Sequence, residues 1–178
     1  MSKENKDMKE EALEWVKSFA VAIVLALIIK SFLFDSTTID GTSMAPTLSN
    51  GDRLIVNKIV LRMRKPERGE IITFHAPNSN KDFIKRVIAL SGDTVEFVDG
   101  KVLVNDKELD ENYIDPGVYT DSGLQSYYEV PKGFVFVLGD NRNPGGSTDS
   151  RILGPIDENS IVSIAMFRFF PFTRIRNF

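Results

Sequence analysis

The segment VEFVDGKVLV, residues 95–104, reads as two short strands joined by Asp99-Gly100. Val95 and Phe97 alternate with Glu96 before the turn, and Val102 and Val104 repeat the same period after it. Asp-Gly supplies two positions that accept positive φ, as the primed two-residue turn of an antiparallel hairpin requires. Outward from this hairpin, short β-rich runs recur at 53–60, 70–74, 82–90, 94–98, 101–104, 134–138 and 161–170. Gly, Pro, Asn and Asp separate them, and nothing beyond Asp35 holds a helical period for three turns. A mainly β domain of coiled, twisted antiparallel sheet is therefore expected over 35–178, without internal repeats. Residues 108–130 form a long polar excursion, read most simply as a surface loop.

Ahead of this domain, WVKSFAVAIVLALIIKSFLF at 15–34 holds an unbroken apolar run from Phe19 to Ile29. Such a run is about long enough to cross a bilayer if Lys17 and Lys30 extend to the headgroups. The apolar character continues past Lys30 to Phe34, and no small-x-small pattern follows, so a retained transmembrane helix is expected in preference to a cleaved leader. The expected organisation is a polar N-terminal segment at 1–14, an anchor at 15–34 and the β domain at 35–178. Cationic residues flank the span on both sides, so charge alone leaves its orientation open.

Composition removes several classes of function. With 22 Lys and Arg against 25 Asp and Glu, the formal charge of -3 offers no basic field, and no nucleic-acid partner is expected. The absence of Cys removes thiol nucleophiles and thiolate zinc sites, and the single His75 cannot build a polyhistidine centre. No metal and no cofactor are expected.

Three segments remain that can carry chemistry. GTSMAPTL, 41–48, places Ser43 among small residues in a turn shortly after the expected anchor. DFIKRVIAL, 82–90, reads as a strand with Phe83, Lys85, Val87 and Ala89 on one face and Ile84, Arg86, Ile88 and Leu90 on the other. Lys85 thus lies in an apolar row, where burial disfavours the ammonium and lowers its pKa toward a value useful for a base. LGDNRNPGGSTDSRILGPI, 138–156, is dense in polar groups: Asp140, Arg142, Asp149 and Arg151 can pair as ions, and Ser147 or Ser150 can offer a hydroxyl.

Taken in order, SMAPTL with GDRLIVNK, GEIITF, DFIKRVIALSGD, and GDNR with STDSR resemble the conserved boxes of type I signal peptidases. The resemblance runs over residues 43–156 and leaves 110–128 and the C-terminal tail outside its boxes. It implies a membrane-bound endopeptidase that cuts N-terminal signal peptides from exported precursors after small residues, through an acyl-enzyme. It implies Ser43 as nucleophile and Lys85 as general base, with Arg86, Asp149 and Arg151 holding the base-bearing strand. Ser147 is the nearest match to the serine that hydrogen-bonds the lysine amine, although the turn Asn143-Pro144-Gly145-Gly146 before it is about two residues longer than in the family. Ile39 and Ile84 match positions that line the substrate pockets. The N-terminus would be cytoplasmic, with the catalytic domain on the outer face of the cell membrane.

The main-chain N–H of Ser43 can serve as one oxyanion donor, but no second donor is named by the sequence. The expected partners are signal-bearing precursors and membrane lipid, and the protein is expected to be monomeric. The tail MFRFFPFTRIRNF, 166–178, mixes Phe with Arg in a way that suits a lipid interface or, equally, a last core strand. A catalytically silent homologue that binds signal peptides or a secretion partner is the alternative; the presence of both Ser43 and Lys85 argues against it.

Overall fold

The computed structural model of the chain describes residues 4–77 and 79–178; the side chains of 4–10 and 26–34 lie outside that description, and with them the latter half of the span expected at 15–34. Helix α1 (Glu4–Leu33) leads directly into strand β1 (Phe34–Thr38). Among the described residues no helix is long and apolar enough to cross a membrane.

Two antiparallel sheets make up the rest. The larger contains β1, β2 (Arg53–Asn57), β3 (Ile71–His75), β4 (Asp82–Ala89), β9 (Phe134–Leu138), β10 (Ile156–Asp157), β11 (Ile161–Phe170) and β12 (Arg176–Asn177). Its spatial order is β1-β2-β11-β3-β4-β9-β10, with β12 paired to β11. The smaller sheet is ordered β7-β6-β5-β8 and comprises β5 (Thr94–Val98), β6 (Lys101–Val104), β7 (Lys107–Glu108) and β8 (Tyr127–Glu129). Short helices α2 (Val60–Met63) and α3 (Ser150–Leu153) cap the connections.

The hairpin at 95–104 forms as its sequence dictates. Val98 pairs with Lys101, and Asp99 and Gly100 take φ of 49° and 77°. Gly100 is also needed for space, since a Cβ there would lie 2.3 Å from the ring of Tyr119. Val95, Phe97, Val102 and Val104 all point inward and join Ile88, Ala89, Phe136 and Leu138 in one buried cluster. A second cluster gathers Ile72, Phe74, Val87, Val137, Ile161 and Ile164, and a third gathers Ile39, Met44, Leu48, Leu54 and Ile71 beneath the segment that carries Ser43.

Three sequence expectations are corrected. The strand expected at 53–60 stops at Asn57, whose side-chain oxygen accepts the N–H groups of Ile59 and Val60 and turns the chain into α2. The two-face alternation expected along 82–90 fails beyond Val87, where a bulge against β9 shifts the register and delivers both Ile88 and Ala89 to the first cluster. The excursion is not only a loop: its end forms β8, which pairs Tyr128 with Val95, and it buries Thr120 almost completely.

Candidate active site

Ser43 sits on a tightly tied loop. Ile39 N–H donates to Asp52 O, Gly51 N–H returns to Ile39 O, and Leu48 N–H donates to Met44 O, each at 2.8 Å. Buried Met44 and Leu48 pin the loop to the third cluster from below. Gly41, with φ of 109°, makes the turn into Ser43, and its N–H is already taken by Asn50 Oδ1 at 2.9 Å. That main-chain group is therefore not available as a second oxyanion donor.

Lys85 lies in the middle of β4, opposite Ile72 on β3, and is only 3% exposed. Its Nζ lies 2.8 Å from Ser43 Oγ and donates to Ile84 O at 2.8 Å, with the Phe83 ring centroid 5.2 Å away. Burial lowers its pKa to about 8, against the opposing pull of the Asp149 and Asp140 carboxylates, which favour the ammonium. A large fraction of the amine is thus neutral near pH 8 and able to accept a proton. The Ser43 hydroxyl lies within hydrogen-bond distance of this amine and is placed to supply one.

The polar stretch at 138–156 wraps around this pair. Asp149 takes the guanidinium of Arg151 through both oxygens at 2.8 Å and accepts Gly139 N–H at 3.0 Å. Burial pushes the Asp149 carboxyl up, but the Arg151 pairing outweighs it and holds the pKa below the usual carboxylate range. Arg86 pairs with Asp140 at 2.9 and 2.6 Å and donates to Gly69 O at 2.8 Å. The two ion pairs stand on different segments of the same stretch.

Ser147 is 8% exposed; its Oγ makes no well-formed hydrogen bond among the described residues, but it stands near enough to Asp149 to contribute to that carboxyl's lowered pKa. It lines the cavity of Ser43 and Lys85, but the expected contact with the lysine amine is not made in this geometry; Ser43 and the Ile84 carbonyl take the amine instead. The other candidate hydroxyl, Ser150, accepts Val137 N–H at 2.9 Å and is occupied in the sheet. The long turn closes neatly: Gly146 N–H donates to Asn143 O at 2.8 Å, with Pro144 and Gly145 at the central positions and Gly145 at φ of 71°. This is the sequence signature of a type II turn. Gly139 permits the fit from behind, because a Cβ there would fall 2.3 Å from Ser147 Oγ and 2.4 Å from Ser43 O.

The resulting cavity, about 320 Å³, is lined on one side by 37–43 and on the other by 82–85, with 145–148 closing the end. Ile39 and Ile84 both contribute to its wall, so the two residues expected to line substrate pockets do face the same space as Ser43. Sequence reasoning missed Asn141, whose N–H donates to Ser43 O at 3.0 Å and whose Nδ2 donates to Thr42 O at 3.2 Å. It also missed Glu111 and Tyr113. Asn141 stands inside the quoted GDNR motif and could have been singled out there, whereas the excursion gave no signal.

Fold and site together define a twisted β-sheet domain with a serine hydroxyl set against a buried lysine. Residues 12–170 match the family described as signal peptidase, peptidase S26. The chain is 40% identical to signal peptidase IB of Staphylococcus aureus, over 96% of this chain and 95% of that one. It is also 40% identical to signal peptidase I of Bacillus licheniformis, over 99% and 98% of the two chains. Among solved structures, a signal peptidase I from Enterococcus faecalis is 31% identical, covers 57% of this chain and 97% of its own, and superposes with a TM-score of 0.47. The chain belongs to the S26 signal peptidase family.

Proposed function

We propose that the protein is a membrane-bound endopeptidase that removes N-terminal signal peptides from exported precursors by a Ser43–Lys85 dyad. The observation that carries this assignment is the 2.8 Å approach of Lys85 Nζ to Ser43 Oγ, with the lysine almost wholly buried. Neutral Lys85 takes the hydroxyl proton as Ser43 Oγ bonds to the scissile carbonyl carbon, and the resulting ammonium returns it to the leaving amine. Water, activated by the same amine, then breaks the acyl-enzyme ester and restores the serine. Ile39 and Ile84 shape shallow apolar walls that suit small side chains before the cut. Arg86 with Asp140, and Arg151 with Asp149, hold the strand and the closing stretch, and Ser147, which lines the same cavity, is assigned the role of orienting the amine.

The anchor belongs to the same proposal: 1–14 in the cytoplasm, 15–34 in the membrane and 35–178 on the outer face, in contact with lipid. Its support is that Trp15, Val16, Phe19, Val21, Ile23, Val24 and Leu25 are each more than half exposed on α1. Apolar side chains distributed around a helix need a non-aqueous surrounding. The test is cleavage of a signal-bearing precursor by the purified full chain: wild type should release the mature product, and Ser43→Ala and Lys85→Ala, still folded, should not. Binding of the precursor without cleavage by wild type would instead support the silent homologue.

A further inference from the structure

The excursion between β7 and β8 touches all three segments that form the site, and it does so largely through one residue. The carbonyl of Tyr113 accepts the Thr47 hydroxyl at 3.3 Å, four residues beyond Ser43. Its ring lies over the guanidinium of Arg86, 4.0 Å from Cζ to ring centroid, next to Lys85 in the chain. Its hydroxyl donates to Glu111 at 2.9 Å, and Glu111 in turn pairs with Arg142, two residues beyond Asp140.

The contact with Arg86 is complementary to that residue's other partners. Nε and Nη2 face Asp140 and Nη1 faces Gly69 O, so each guanidinium nitrogen has an in-plane partner and the Tyr113 ring covers a flat face. A planar cation stacked in this way keeps water from its carboxylate partner, and exclusion of water strengthens the pair. Burial also drives the Tyr113 phenol pKa upward, keeping it neutral as a donor to Glu111.

We propose that Tyr113 is a positioning residue for the Ser43–Lys85 pair, a strap that holds the Ser43 loop, the Lys85 strand and the Asp140–Arg142 segment in mutual register. This rests on the function proposed above and adds to it a determinant from outside the boxes that the resemblance covers. Strap and simple core filler differ in what they control. A filler affects stability alone, whereas the strap sets the distance between nucleophile and base and the balance of charge around the base. The charges facing Lys85 are the carboxylates of Asp140 and Asp149, each balanced by its arginine, Arg86 and Arg151. Loosening Arg86 leaves Asp140 less balanced and favours the lysine ammonium.

The test uses the full chain in phospholipid vesicles, cutting a precursor whose signal peptide ends in Ala-x-Ala, with kcat, KM and pH profile measured. Wild type and Ser43→Ala set the baseline: no Ser43-dependent cleavage by wild type would remove the functional assignment itself, whatever Tyr113 does. Given that cleavage, Tyr113→Leu should lower kcat by about 10- to 100-fold at unchanged KM, the scale of a small misplacement of reacting groups. Its rising pH limb should move to higher pH. Tyr113→Phe keeps the ring over Arg86 and should stay within about twofold of wild type. An unchanged kcat in Tyr113→Leu overturns the proposal, as does a loss with the limb unmoved or an equal loss in Tyr113→Phe. Should Tyr113→Leu fail to fold, Thr47→Val decides: it keeps shape, removes the hydroxyl to the strap, and should lower kcat several-fold, so an unchanged rate there overturns the proposal too.

Discussion

The N–H of Asn141 lies 3.0 Å from the carbonyl oxygen of Ser43, which ties the closing polar stretch to the loop carrying the hydroxyl. The side chain adds a second tie to Thr42 O, and its Oδ1 accepts Asn143 N–H and so seats the long turn. Asn141→Ala keeps the main-chain bond and loses the others, so kcat should fall by about tenfold, the equivalent of one net hydrogen bond. Asn141→Asp sets a carboxylate against Thr42 O and should fall further. Single-turnover cleavage of one precursor by both variants measures the difference.

On the proposed mechanism the lysine sets the pH dependence. Its pKa of about 8 lies well below the ordinary 10.5, and only the neutral amine accepts the Ser43 proton. The profile of kcat/KM should therefore rise with pH and level off above about pH 8 to 9, as the free-enzyme base becomes fully neutral. A rate still climbing past pH 10 would show a solvated lysine.

The same shift implies that Lys85 weakens the fold. Below pH 8 the amine is protonated in both states, and the buried ammonium carries a penalty on the order of 3 kcal/mol from its lowered pKa. Between pH 8 and 10.5 the unfolded chain binds the proton and the folded one does not, so stability rises with pH across that window and the penalty is gone above it. Lys85→Met should be more stable than wild type by a few kcal/mol at pH 7. That margin should close by pH 10.5 in urea unfolding of the detergent-solubilised protein.

Arg142 has no exposed side-chain surface and reaches Glu111, Thr120 and Gly139 O together. Arg142→Met leaves Glu111 buried without its cation and should cost about 3 to 5 kcal/mol. The shift in the urea midpoint measures it, and Arg142→Met/Glu111→Leu should recover most of the loss.

Ser147 and Ser150 separate function from stability. Ser147→Ala removes a hydroxyl that lines the cavity; if that hydroxyl orients the amine as proposed, kcat should fall by about 10- to 100-fold at unchanged stability, by analogy with groups that orient a metal ligand. Ser150→Ala leaves Val137 N–H buried without an acceptor and should cost about 1 to 3 kcal/mol with little change in kcat.

What the sequence made legible followed from local rules. Asp99-Gly100 allowed one turn and with it the hairpin, and the run 82–90 placed Lys85 among apolar neighbours before any tertiary contact was known. The bulge after Val87 was hidden because an apolar run such as Val87-Ile88-Ala89 does not show that Ile88 is an extra residue against β9. The partner of Arg86 was not legible, because charge spacing along a chain cannot choose among nearby carboxylates; the pairing of β4 with β9 brings Asp140 to it. Glu111 and Tyr113 were invisible for a related reason. Their contacts cross 31 and 27 positions to Arg142 and Arg86, and a polar loop carries no periodic pattern to mark what it touches.

Because α1 ends at Leu33 and β1 begins at Phe34, no linker separates the proposed anchor from the sheet. Ser43 is ten positions from the helix end, so the chain permits a separation of at most about 35 Å. The proposed nucleophile is thus on a short leash, and its height above a bilayer holding the proposed anchor is limited by covalent geometry before any recognition takes place. A precursor whose small residues stand well above the lipid would escape cutting even with a perfect fit to Ile39 and Ile84, and inserting a flexible segment between Leu33 and Phe34 would let the enzyme reach it.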